Sequence, residues 1–135
     1  MDYMFLVYTD EERMAGSTEA EKMAGRKRAW AVLDDAVAKG VFRAANPLQP
    51  VATAVTARAQ NGKVTLTDGP FAETKEVLGG FWIIDCKDAS EARYWASRIC
   101  QEGCFASSVE FRQIAALPAR PDVAGPATSS QFVNA

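Results

Sequence analysis

The sequence predicts an α+β domain: two βαβ units, the ferredoxin-like arrangement βαβ-βαβ, with a β-hairpin inserted between them. Three observations predict it. Two stretches carry a helix-start signal followed by apolar residues at helical spacing. Short apolar, strand-like runs flank each of them. Between the two units, Asn61-Gly62 separates two alternating segments, the strongest local signal for a tight hairpin.

The elements follow in order. Tyr3-Met4-Phe5-Leu6-Val7-Tyr8 is a short continuous apolar run and reads as a central strand. Thr9 to Gly16 is polar and reads as a loop. Thr18 and Glu21 have capping-box spacing, in which the threonine oxygen accepts from the third helical amide. Met23, Trp30, Leu33 and Val37 then form a stripe expected to lie on a sheet, and Gly40 supplies the stop. Val41 to Ala44 reads as a short strand. Asn46-Pro47-Leu48-Gln49-Pro50 reads as a connection with two prolines.

The hairpin fixes its own register. A two-residue turn at Asn61-Gly62 pairs Gln60 with Lys63. Ala59 then meets Val64, Ala57 meets Leu66 and Val55 meets Asp68 on one face. The other face holds Arg58 with Thr65 and Thr56 with Thr67. Val77 to Asp85 is heavily apolar and reads as a central strand. Asp88 and Glu91 repeat the capping-box spacing, and Ala92, Trp95, Ala96 and Ile99 form the stripe of a second helix ended by Gly103. Phe105 to Ile114 closes the domain as a strand. Residues 1–116 form the domain, and residues 117–135, rich in proline and serine without periodicity, read as a disordered tail.

Composition narrows the function. The 135 residues suit one domain, and a hydrophobic fraction of 48% supplies its core. A net charge of −2 without a basic block argues against a nucleic-acid surface. The Tyr3–Tyr8 run is too short to cross a bilayer and has no basic lead, so neither a membrane span nor a signal peptide is expected. Cys86, Cys100 and Cys104 make an odd set with no disulfide framework, which fits a reduced, cytoplasmic protein. They are also too few for a structural zinc site. The chain has no histidine, which removes the Ser-His-Asp and Cys-His arrangements and histidine metal ligands. No cofactor motif is present, neither a phosphate loop nor a dinucleotide fingerprint.

The densest cluster of special residues is Asp68-Gly69-Pro70-Phe71-Ala72-Glu73-Thr74-Lys75-Glu76, leading into Leu78-Gly79-Gly80-Phe81. Asp68 falls at the end of the hairpin's apolar face. A carboxylate held there loses water, which favours its neutral form and suits acid or base work. Asp before Gly-Pro is equally a turn-former bonded to backbone amides. Glu73, Lys75 and Glu76 form a charged run that either binds a polar ligand or is solvated. Tyr8 ends the first strand, and Arg58 lies on the polar hairpin face, where either can line a cleft. Phe71, Lys75 and Trp82 complete the candidate binding residues. Asp10, Glu11 and Glu12 are an acidic cluster of the kind that can hold Mg²⁺ or simply face water.

The long Asp68–Glu76 motif and Leu78-Gly79-Gly80-Phe81 resemble the DGPF motif of the YCII-related family. Tyr3-Met4, Pro47-Leu48-Gln49-Pro50 and Ser107-Ser108-Val109-Glu110 extend the likeness over residues 1–114. The resemblance implies a dimeric α/β-barrel-like fold. It implies a small-molecule cleft, with a cofactor-free lyase, isomerase or cyclase as the activity and Asp68 as its acid or base. It also implies, as an alternative, a ligand-sensing or regulatory module accompanying an extracytoplasmic-function sigma factor. Some members are associated with a His–Asp pair, and this chain has no histidine for it. A single sheet with helices on one side leaves its other side bare. Either Phe81 or Trp82 must point there, because strand neighbours alternate. A homodimer through that face is therefore expected.

Overall fold

The computed structural model describes residues 1–102 and 105–122. The chain runs β1 (Asp2–Asp10), α1 (Glu11–Ala15), α2 (Glu19–Ala38), β2 (Phe42–Pro47), β3 (Val55–Gln60), β4 (Lys63–Asp68), β5 (Glu76–Asp85), α3 (Ala89–Glu102) and β6 (Ala106–Gln113). A four-stranded sheet has the order β2-β5-β1-β6, antiparallel throughout, and β3-β4 forms a separate two-stranded sheet. With β3-β4 set aside, this is the ferredoxin-like α+β order, and the inserted hairpin stands as an arm.

Local chemistry sets the element ends. The Thr18 Oγ1 accepts from the Glu21 amide at 3.1 Å, and the Asp88 Oδ1 from the Glu91 amide at 3.0 Å. Past α2, Gly40 has φ of +71°; its amide bonds Val37 O at 3.0 Å while the Val41 amide reaches Ala36 O at 3.1 Å, a Schellman stop. Asn61 and Gly62 both have positive φ, 52° and 77°, as the two-residue hairpin turn demands. The hairpin register is the expected one, from Gln60 with Lys63 to Val55 with Asp68.

The core lies between the sheet and its helices. Phe5, Ile84, Ile99 and Val32 are fully buried, with Trp95 and Tyr3 close behind. Tyr3, Phe5, Val7 and Thr9 of β1 face the helices, and Met4, Leu6 and Tyr8 face away. On β5, Trp82 pairs opposite Phe5 on the helix side, and Phe81 opposite Leu6 on the bare side. Phe81 is therefore the aromatic that looks away from the helices.

Four expectations need correction. The segment Thr9 to Gly16 is not all loop: β1 runs to Asp10, whose side chain accepts from the Arg13 amide at 3.2 Å and starts the five-residue α1. β2 continues through Pro47, which an edge strand tolerates because its missing N–H faces no partner. The α2 stripe is only partly turned inward, with Leu33 half-buried. Met23, Trp30 and Val37 are 41%, 50% and 56% exposed, and the inward face is Gly25, Val32 and Ala36. The hairpin's apolar face is not an inner one either: Val64 and Leu66 are 70% and 73% exposed.

The expected stop at Gly103 and the thiol of Cys104 lie outside the described residues, as do residues 123–135 of the expected tail. Residues 114–120 carry no regular structure, although Ile114 still bonds to Asp2 O at 2.8 Å. No helix among the described residues is long and apolar enough to cross a membrane.

Candidate functional site

Two concavities lie on opposite sides of the sheet. The first is a cleft of about 540 Å³ between α2 and the β2-β5 half of the sheet. Its place fits the small residues on the inner face of α2. The inner face of α2 carries Gly25, Ala29, Val32 and Ala36; Val32 and Ala36 join the core, while Ala29 lines the cleft. Trp30 and Leu33 wall one side, and Val7, Leu48 and Trp82 the other. Trp82 is held edge-on to Phe42, with ring centroids 6.3 Å apart at 86°.

The polar groups of this cleft are few and placed. Lys22 and Arg26, one helical turn apart on α2, put two cations at its rim. Lys22 is also 3.5 Å from Glu19. Thr9 is 5% exposed, and its Oγ1 is the buried side-chain polar atom that lacks a hydrogen-bond partner among the described residues. An unpaired buried hydroxyl costs about 1–3 kcal/mol, which a bound acceptor or donor recovers. A bulge opens the space for it: β1 shifts register between Val7 and Tyr8, leaving Gly79 unpaired. A Cβ on Gly79 would lie 2.8 Å from Thr9 Oγ1, so only glycine leaves that side chain where it is.

The second concavity, about 860 Å³ and wide open, lies on the bare side of the sheet at the root of the arm. Tyr8, Ser108 and Glu110 line it from the sheet, Thr74, Lys75 and Glu76 from the arm's return. Some of its polar groups engage one another. Lys75 Nζ is 3.9 Å from Asp10, and Ser108 Oγ donates to Glu76 at 3.3 Å.

The expected site residues therefore part company. Tyr8 and Lys75 share the second concavity, and Trp82 lines the first. Asp68, Arg58 and Phe71 belong to the arm and line neither. Asp68 is exposed. Arg58 donates to Phe71 O at 2.7 Å, bracing the turn, and the Phe71 ring is 80% exposed. Within the acidic cluster, Asp10 caps α1, and the Glu11 carboxylate accepts from the Val51 amide at 3.0 Å, so both have structural duties. Cys86 is fully buried, and burial pushes its thiol up to about 11, which keeps it protonated and inert.

Lys22, Arg26 and Thr9 escape a sequence reading. One signal for them is present in the chain. Gly25 and Ala29 put small residues on the α2 face where a packed helix carries large ones, and Thr9 breaks an otherwise apolar alternation Tyr3, Phe5, Val7.

Comparison with known proteins agrees with the motif. The model of the YCII-related domain matches residues 1–113. An uncharacterized protein of Rhizobium meliloti (strain 1021) is 34% identical over 115 residues, covering 85% of this chain and 93% of its own. Among solved structures, one similar chain is the 5-chloro-2-hydroxyhydroquinone dehydrochlorinase TftG of Burkholderia phenoliruptrix AC1100, in complex with 2,5-dihydroxybenzoquinone. That likeness has a TM-score of 0.45 at 12% identity, over 86% of this chain and 95% of the other.

Proposed function

The chain belongs to the YCII-related domain family, and from that premise we propose that it binds a small, flat, apolar molecule carrying an anionic group in the α2 cleft. One observation carries this reading: a cleft walled by Trp30, Leu33 and Trp82 has Lys22 and Arg26 at its rim and an unpaired Thr9 hydroxyl in its wall. The indoles offer flat apolar surface. The two cations favour an anion such as a carboxylate or phenolate. The hydroxyl gains its missing hydrogen bond from a polar substituent at the far end. A volume of about 540 Å³ lies within the range of ligand pockets and accommodates a one- or two-ring compound.

The test is a titration with benzoate and with benzamide, which share a shape and differ in charge, followed by tryptophan fluorescence. Benzoate is expected to bind saturably and more tightly. Trp30→Ala should abolish most of the binding. Arg26→Gln should cut the preference for benzoate by about tenfold, the worth of one charge-assisted hydrogen bond. Equal affinity for the two probes, or no saturation with either, counts against the reading.

A further inference from the structure

Thr9 interrupts an apolar row. Tyr3, Phe5, Val7 and Thr9 share the helix-facing side of β1, and the first three belong to the core or pack against it. Thr9 is just as deep, at 5% exposure. A buried threonine ordinarily bonds its hydroxyl to a nearby carbonyl. Here Oγ1 has no such partner among the described residues.

The neighbouring strand is shaped around this side chain. Thr9 pairs with Val77, and the β1–β5 bulge passes over Gly79 without giving it a partner on β1. A Cβ on Gly79 would lie 2.8 Å from Thr9 Oγ1 and 2.9 Å from Thr9 Cγ2. Any other residue there pushes the threonine side chain aside. Thr9 and Gly79 both line the α2 cleft, which Lys22 and Arg26 line from the helix.

We infer, on the reading of the α2 cleft as a binding site, that Thr9 selects the ligand. The cleft takes an aromatic acid that carries a hydroxyl on a ring carbon away from its carboxylate. The division of polar groups sets this class. The two cations lie at the rim and take the acid. The threonine lies in the wall, so the group that meets it sits elsewhere on the ring. A threonine hydroxyl is both donor and acceptor. A ligand hydroxyl is both as well, and matches it whichever of the two donates. A methyl group of similar size offers neither. Because an unpaired buried hydroxyl is destabilising, a ligand that pairs it gains affinity over one of the same shape that does not.

Two pairs of probes matched in size and charge test the selection. They are 4-hydroxybenzoate against 4-methylbenzoate, and 3-hydroxybenzoate against 3-methylbenzoate. Each is titrated into the full chain near neutral pH and followed by tryptophan fluorescence. In at least one pair the hydroxy acid is expected to bind about five times more tightly, the worth of one neutral hydrogen bond. Thr9→Val keeps the shape and lacks the hydroxyl, and should erase the preference. Thr9→Ser keeps the hydroxyl and should preserve it. Gly79→Ala should act like Thr9→Val by displacing the side chain. Thermal unfolding supplies a readout that a purely structural threonine would move the other way. Thr9→Val should melt above the intact chain, because it removes an unpaired polar group. Equal affinities within both pairs, with the methyl acids still bound, overturn selection by Thr9 and leave the cleft as a binding site. A preference that survives Thr9→Val overturns it too, as does a lowered melting temperature in that variant. Failure of all four acids to bind overturns both readings.

Discussion

The two long helices cover the same side of the sheet and use their sequences in opposite ways. α3 buries Ala92, Trp95, Ala96 and Ile99, the stripe its periodicity announces. α2 exposes Met23, Trp30 and Val37 and turns Gly25, Val32 and Ala36 inward. α3 is packed to close a core. α2 is held with space under part of it, and that space is the cleft. The salt-bridged set Asp35, Lys39, Arg98 and Glu102 ties one helix to the other, with Lys39 and Arg98 also over the Trp95 ring. The difference teaches that a stripe of large apolar residues locates a core only when the helix is pressed against its sheet.

The comparison breaks most sharply at the tryptophans. Trp95→Ala should cost about 3–5 kcal/mol, because Trp95 is 3% exposed and its removal leaves a cavity that neighbours cannot fill. Trp30→Ala should leave stability nearly unchanged while abolishing benzoate binding. Thermal unfolding of the two variants side by side decides it, and a comparable loss of stability in both would erase the distinction between the helices.

Next in size is the floor of the cleft. A Cβ on Gly80 would sit 2.8 Å from Asn46 O and 3.2 Å from Pro47 Cα, both backbone atoms of β2. Gly80→Ala therefore forces β2 away from β5, at about 1–3 kcal/mol. Urea unfolding should show a lowered midpoint, and the benzoate titration a weakened cleft.

The smallest effect concerns the tie between the helices. A hydrogen bond from Lys39 at 3.1 Å, with Arg98 beside it, holds the Asp35 carboxyl below the usual carboxylate range. A depressed carboxyl contributes stability above its unfolded value of about 3.9 and loses it as the pH falls through the lower folded value. The intact chain should thus be more heat-stable than Asp35→Asn near neutral pH, and the two melting curves should converge in acid below about pH 4. A gap that persists at low pH would remove the ion pair as its cause.

Most of the fold was legible in the chain. The capping boxes at Thr18 and Asp88, the stop at Gly40 and the hairpin register from Asn61-Gly62 are local features, written in a few adjacent residues and realised wherever those residues sit. The stripe of α3 was legible for the same reason, and so was the family, through the motif from Asp68 to Glu76. The cleft was not. Which face of α2 turns inward is decided by the sheet below it, and the small residues Gly25 and Ala29 are the one local hint within the helix. Asp68 and Phe71 sit in the motif and Arg58 beside them on the hairpin, yet the arm carries all three away from both concavities, while Lys22 and Thr9, on different elements, meet in one. Turns, caps and ribbon register are short-range and were determined by the amino-acid sequence alone. The location of the cleft and the exposure of the arm arise from long-range packing, and only the tertiary structure decided them.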